Sequence, residues 1–225
     1  SRQVARRGCA QAVVVNSGCA NAATGLQGRR DAHETARLAA ARLNLLADQV
    51  LVASTGVIGH PLPMEKIRLG LTQIVPTRQG GSAFARAIMT TDTVPKEAAV
   101  TVDVAGHRVT IGGAAKGAGM IHPDLATFLG FLTSDAAVET SFLQNALRRA
   151  ADVSFNMLTV DGDTSPNDTL ALLANGRARN EPLRSDSPGA DAFQQALDAL
   201  CIHLARAIAR DAEGANHLLE VTVEG

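Results

Sequence analysis

The 225 residues predict an α/β chain, layered α/β or α+β, with sheets covered by helices. Three observations carry this reading. Short apolar, β-branched runs at residues 10–15, 49–53 and 128–133 have the length of buried strands. Apolar stripes at helical spacing recur at residues 61–74, 141–155 and 191–210. The two kinds of segment interleave along the chain, and hydrophobic residues at 46% against 19% charged supply a sizeable core.

In order, the strand at 10–15 leads into Asn16-Ser17-Gly18-Cys19-Ala20-Asn21-Ala22-Ala23-Thr24-Gly25, small and polar residues expected in a turn-rich loop. A helix is expected from Asp31, which can cap it, with Glu34 completing a box-like start and Leu38, Ala41, Arg42 and Leu45 continuing the spacing. The second strand ends at Ala53 and runs into Ser54-Thr55-Gly56-Val57-Ile58-Gly59. Pro61 and Pro63 open a helix through Ile74 with Met64, Ile67, Leu71 and Ile74 on one face. A short helix at 82–89 stops at Thr90-Thr91-Asp92. Residues 98–104 and 108–111 form a hairpin about Ala105-Gly106-His107, which delivers the chain into a glycine-rich run ending at Lys116.

After the strand at 128–133, the helix at 141–155 turns Phe142, Leu143, Ala146, Leu147, Ala150 and Val153 inward and Arg148-Arg149 outward. Residues 161–169, Asp-Gly-Asp-Thr-Ser-Pro-Asn-Asp-Thr, lack the sixth-position glycine and closing Glu of a calcium loop, so no metal is assigned and a rigid turn is expected. Residues 170–174 read as a strand and 177–189 as a surface loop. The helix at 191–210 buries Phe193, Ala196, Leu197, Leu200, Leu204 and Ile208, and a last strand is expected at 218–223.

Several function classes are disfavoured. A net charge of −1, the absence of Trp and Tyr, and scattered Lys and Arg leave no footprint for nucleic acid or an anionic membrane. Cys9, Cys19 and Cys201 form no metal or disulfide framework and fit a reducing, cytoplasmic setting. No apolar run approaches a membrane span, and residues 1–8 have no signal-like apolar stretch. The chain starts without Met and stops directly after a predicted strand, so a piece of a longer protein is expected.

The six histidines have no paired ligand spacing, and no Gly-x-Ser-x-Gly elbow is present. Attention therefore falls on the stretch from Lys116 to Asp135. Gly117 and Gly119 permit close backbone approach, and Ala126-Thr127 stands at the mouth of a buried strand. Thr127 is a candidate nucleophile, with Lys116 reaching into the same site; an ordinary loop-to-strand junction is the competing reading. A threonine hydroxyl is weak unless a base is supplied, and one solution is its own α-amine, freed by cutting the preceding bond. That amine titrates near about 8, close to the best working pH of a general base. Thr55 and Gly56 offer a hydroxyl and an open N–H, the equipment of an oxyanion hole, although Ser-Thr-Gly is also a common turn.

Together, Val14-Val15-Asn16-Ser17-Gly18-Cys19-Ala20-Asn21-Ala22, Ala53-Ser54-Thr55-Gly56-Val57-Ile58-Gly59, Met89-Thr90-Thr91-Asp92, Lys116-Gly117-Ala118-Gly119-Met120, Leu125-Ala126-Thr127, Asp161-Gly162-Asp163-Thr164-Ser165 and Asp211-Ala212-Glu213-Gly214 resemble, in order, the ornithine acetyltransferase family, the glutamate N-acetyltransferases of arginine biosynthesis. The resemblance covers essentially the whole chain. It implies a self-processing sandwich of sheets flanked by helices, similar to N-terminal-nucleophile aminopeptidases. It further implies cleavage between Ala126 and Thr127 into an α-chain portion (1–126) and a β-chain portion (127–225) of one intertwined domain. Thr127 would then carry acetyl from N-acetylornithine to glutamate. Thr55 and Gly56 match the family's oxyanion hole, and Thr90, Lys116, Thr127 and Glu213 match its substrate positions. No cofactor is implied, acetyl-CoA is left open as a second donor, and an α2β2 heterotetramer is expected.

Two departures stand out: family members extend further at both ends, and Asn216-His217 stands where the family usually has Thr-Lys. A self-processing aminopeptidase that passes the acyl group to water, or an inactive truncated relic, are the rival readings.

Overall fold

Side-chain alternation on two small sheets builds four layers. The computed structural model describes residues 1–122 and 128–223. After α1 (Arg2–Arg7), strands β1 (Ala12–Cys19) and β2 (Val50–Val57) pair in parallel across helix α2 (Gly25–Leu43). Helices α3 (Met64–Gln73) and α4 (Gly81–Ala87) follow. A second sheet, ordered β3-β4-β5-β6, contains β3 (Lys96–Val104), β4 (His107–Lys116), β5 (Leu129–Ser134) and β6 (Thr169–Ala174). Its first two pairings are antiparallel; β5 and β6 run parallel because α5 (Thr140–Asp152) provides the crossover. Helix α6 (Ala190–Arg210) closes the outer face.

Period two along each strand sends successive side chains to opposite faces. On β4 and β5, Val109, Ile111 and Leu132 face the largest core with Phe193, Leu197, Leu204 and Ile208 of α6. Their neighbours Ala114, Leu129 and Phe131 face the other way, onto Ala53, Val13 and Val15 of the first sheet. The far side of that sheet, Val50 and Val52, packs on Ala36, Ala39 and Ala40 of α2 and Leu71 of α3. The layers are therefore helix, sheet, sheet, helix, the sandwich expected from sequence.

The stripe expected on α6 is buried at every position. Elsewhere the tertiary structure moved boundaries. β1 continues to Cys19 and β2 to Val57, because their ladder pairs residue for residue from Ala12–Val50 to Cys19–Val57. Thr55 and Gly56 consequently lie within a strand and not in a turn. Helix α2 starts at Gly25, six residues before the expected cap; Asp31 is buried inside it and accepts a hydrogen bond from Gln27 Nε2 at 2.7 Å. Residues 112–116 belong to β4: 112–115 pair with both β3 and β5, and Lys116 pairs with Leu129 of β5. Val153 is 39% exposed, and Phe155, in the following 3₁₀ turn, is buried instead. Within 177–189, Leu183 is buried and bridges Val138, so that loop is anchored. Residues 218–223 form no strand: Leu219, Val221 and Val223 are more than 80% exposed, and no described strand lies in ladder with them. A strand exists only where a neighbour completes its ladder.

Candidate functional site

The end of β4 carries Lys116 into the buried space between the sheets, where its side chain is only 3% exposed. Its ammonium donates to Thr90 Oγ1 at 2.6 Å and to Thr55 Oγ1 at 3.3 Å, and lies 3.9 Å from Asp92. Three sequence candidates, far apart in the chain, thus meet at one nitrogen. Burial lowers the Lys116 pKa; the Asp92 carboxylate opposes this, while the Lys96 cation adds to it. Because Thr55 Oγ1 accepts from Lys116, its own proton remains available for donation.

Gly56 faces Gly18 across the β1–β2 ladder at φ +125°. A Cβ there would stand 2.3 Å from the Gly18 carbonyl carbon and 2.7 Å from the Cys19 nitrogen. Only glycine permits that approach.

Glu213 follows α6. Its backbone N–H donates to the Ala118 carbonyl at 2.6 Å, and its carboxylate lies against Gly119, where a Cβ would come 2.5 Å from Oε2. The segment 116–119 therefore has a buried ammonium at one end and an exposed carboxylate at the other. Met120 and Ile121, next along, donate their N–H groups to Asp161. Burial would raise that carboxyl, but these bonds and one from Asp163 outweigh it and hold its pKa below the ordinary value. The turn at 161–169 is thus a clamp on the 116–121 segment as well as a turn.

Ala126 and Thr127 lie outside the described residues. The chain that follows them is tightly anchored. Phe128 N–H donates to Asp168 Oδ1 at 2.9 Å, its carbonyl accepts from Thr169 N–H at 3.1 Å, and its ring stacks on Phe155 at 4.3 Å. Burial pushes the Asp168 carboxyl up to about 7, against the Phe128 N–H, which lowers it. Asn167 Nδ2 donates to the carbonyls of Ala20 and Ser54, tying this loop to the residue preceding Thr55. Its Oδ1 is buried without a hydrogen-bond partner among the described residues. Asn167, Asp168, Ser54 and Ala20 line a polar cavity of about 220 Å³. A larger groove of about 440 Å³ between β1 and α3 is lined by residues such as Val15, Cys19 and Ile67 and by none of the described site candidates.

Sequence reasoning missed Asp92, Lys96, Asn167, Asp168 and Asp211 as parts of this region. Asp92 and Asp211 stand inside segments that resemble the family, but a carboxylate's partners cannot be read from spacing. Among the described residues, no group of three or more His, Cys, Asp or Glu is placed to hold a metal ion.

The geometry can be compared with known proteins. The ArgJ family model matches residues 1–225. The chain is 56% identical over 215 residues to the arginine biosynthesis bifunctional protein ArgJ of Dehalococcoides mccartyi, covering 96% of this chain and 53% of that protein. It is 54% identical over 217 residues to the same-named protein of Geobacillus kaustophilus, again covering 96% and 53%. The crystal structure of the Bacillus halodurans protein argJ superposes with a TM-score of 0.51 at 44% identity, covering 55% of this chain and 68% of that one. The chain spans about half the length of the curated relatives it matches.

Proposed function

Since the chain belongs to the ArgJ family, we propose that the protein carrying it moves an acetyl group from N-acetylornithine to glutamate through an ester on Thr127. The observation that carries this reading is the Lys116 ammonium, fixed between Thr55 and Thr90, with the Glu213 carboxylate against Gly119. A buried cation and a nearby anion suit the carboxylate and ammonium of one amino acid.

In the first step Thr127 Oγ attacks the Ala126 carbonyl carbon, and the peptide C–N bond breaks to give an ester and a free α-amine. Water then cleaves the ester, leaving an α-chain ending at Ala126 and a β-chain starting at Thr127. The α-amine takes the hydroxyl proton as Oγ attacks the acetyl carbon of N-acetylornithine. The C–N bond breaks, the proton passes to the leaving amine, and ornithine departs. The glutamate amine next attacks the acetyl ester and regenerates Thr127. In each tetrahedral step the oxyanion receives the Thr55 O–H and the Gly56 N–H. The Lys116 charge behind Thr55 strengthens that donor. Thr90 holds Lys116, which takes the substrate carboxylate, and Glu213 takes an ammonium.

The assembly fitting this scheme is an α2β2 heterotetramer working in the cytoplasm. Free thiols at Cys9, Cys19 and Cys201 fit a reducing compartment. Among the described residues, no helix is long and apolar enough to cross a membrane.

The test is the intact mass, under denaturing conditions, of the complete gene product and of Thr127→Ala, followed by acetyl transfer between the two amino acids. Two pieces breaking at Ala126–Thr127, one uncut mutant chain, and labelled acetyl reaching glutamate are expected. An uncut wild-type chain removes the amine base and with it the mechanism. Acetate in place of acetylglutamate would make water the acceptor.

A further inference from the structure

Beside the candidate substrate groups lies a run of buried charge that no step above uses. Lys96, first residue of β3, has its ammonium 2.7 Å from Asp92 Oδ1 and 2.5 Å from Asp211 Oδ2, with all three side chains at most 6% exposed. Asp92 does more than neutralise Lys96. Its Oδ1 also accepts the Gly117 N–H at 2.7 Å, its Oδ2 accepts the Thr90 N–H at 3.1 Å, and Lys116 Nζ stands 3.9 Å away. One carboxylate thus holds the backbone beside both Lys116 and the hydroxyl that Lys116 contacts. At the other end, Asp211 accepts from the N–H and hydroxyl of Thr93, and Glu213 follows two residues later.

Burying four charges is costly unless each finds partners, and apolar replacements of such sets are often neutral or stabilising. Two lysines and two aspartates here cancel in charge. Neutrality alone does not explain why the row ends at Lys116 on one side and next to Glu213 on the other. We propose that Asp92, Lys96 and Asp211 form a positioning unit that sets the distance between Lys116 and Glu213, and thereby the fit of an amino acid's carboxylate and ammonium. These residues touch no substrate; they act through Lys116 and Glu213. The inference rests on the functional reading above.

A double-mutant cycle in the complete, self-cleaved protein tests it, because a residue acting through another loses its effect once that other is gone. Asp211→Asn should leave cleavage complete and kcat for acetyl transfer within about threefold, while raising KM for the amino-acid substrate roughly tenfold, or ~1.4 kcal/mol. In a Glu213→Gln background, the same substitution should change KM by less than about twofold. Additive effects, or an unchanged KM, overturn the proposal. If Asp211→Asn yields no folded protein, Thr93→Val, which removes one donor to Asp211, is read through the same cycle by the same criteria. Absence of acetyl transfer by the unsubstituted protein overturns the reading of the reaction instead, and this inference with it.

Discussion

Gly119→Ala separates the proposed substrate-binding role of Glu213 from the stability of the fold. The Gly119 backbone is not in the left-handed region, so alanine meets no backbone strain there. The new Cβ would stand 2.5 Å from Glu213 Oε2, and the next contact, Asp161 Oδ2, is at an ordinary 3.6 Å. To reach ordinary contact near 3.4 Å, the Glu213 oxygen must retreat by about 0.9 Å. It is the free end of an exposed side chain, so the move costs little. An ammonium-to-carboxylate hydrogen bond of about 2.8 Å does not survive such a shift. Hydrogen bonds to charged groups contribute about 1.5–3 kcal/mol, and exposure of Glu213 places the loss near the lower end. The KM for the amino acid should therefore rise about tenfold with kcat nearly unchanged, the pattern of lost uniform binding. Stability should hold or rise slightly, since Gly→Ala at a compatible site restricts the unfolded chain by ~0.4–1 kcal/mol. Steady-state kinetics and thermal unfolding of one preparation decide the matter. An unchanged KM refutes the assignment of Glu213, and a clear fall in Tm refutes the claim that a side chain absorbs the change.

Two further outcomes follow from neighbouring geometry. The Asp168 carboxyl sits at about 7 in the folded protein, above its ordinary unfolded value. The native state then binds more protons between roughly pH 4 and 7, so stability falls as pH rises through that window. Because Asp168 is only partly buried, the penalty is discounted for screening to on the order of 1–2 kcal/mol. Asp168→Asn should be more stable than wild type by that amount at pH 8 and equal to it near pH 4; a difference independent of pH would rule the account out. Gly56→Ala should destabilise by about 3–5 kcal/mol, combining strain at φ +125° with overlap on the Gly18 backbone, which cannot swing aside as a side chain can. Urea unfolding followed by far-UV circular dichroism suits a chain without Trp or Tyr, and a loss below about 1 kcal/mol would contradict the close approach of β1 and β2.

Local pattern determined where most of the helices and strands lie. The stripe Phe193, Leu197, Leu200, Leu204 and Ile208 is a property of spacing, and every member is buried in α6. The hairpin about Ala105 and Gly106 is equally local, both residues taking the positive φ that a tight turn requires. Order of motifs pointed to the family, and with it to Thr55, Thr90, Lys116 and Glu213.

Pairing and partner choice belonged to the tertiary structure. Whether Thr55-Gly56 made a turn or continued a strand depended on β1 lying alongside, because a ladder is completed by residues some 38 positions away. Residues 218–223 have a strand's composition, but composition supplies no neighbouring strand, and none of the described residues forms a ladder with them. The same reason hid the buried charges. Lys96 and Asp211 are 115 positions apart, and electrostatic partnership depends on distance through space, which periodicity along the chain does not encode. From sequence came the groups able to act; folding decided which of them share a site and what holds them there.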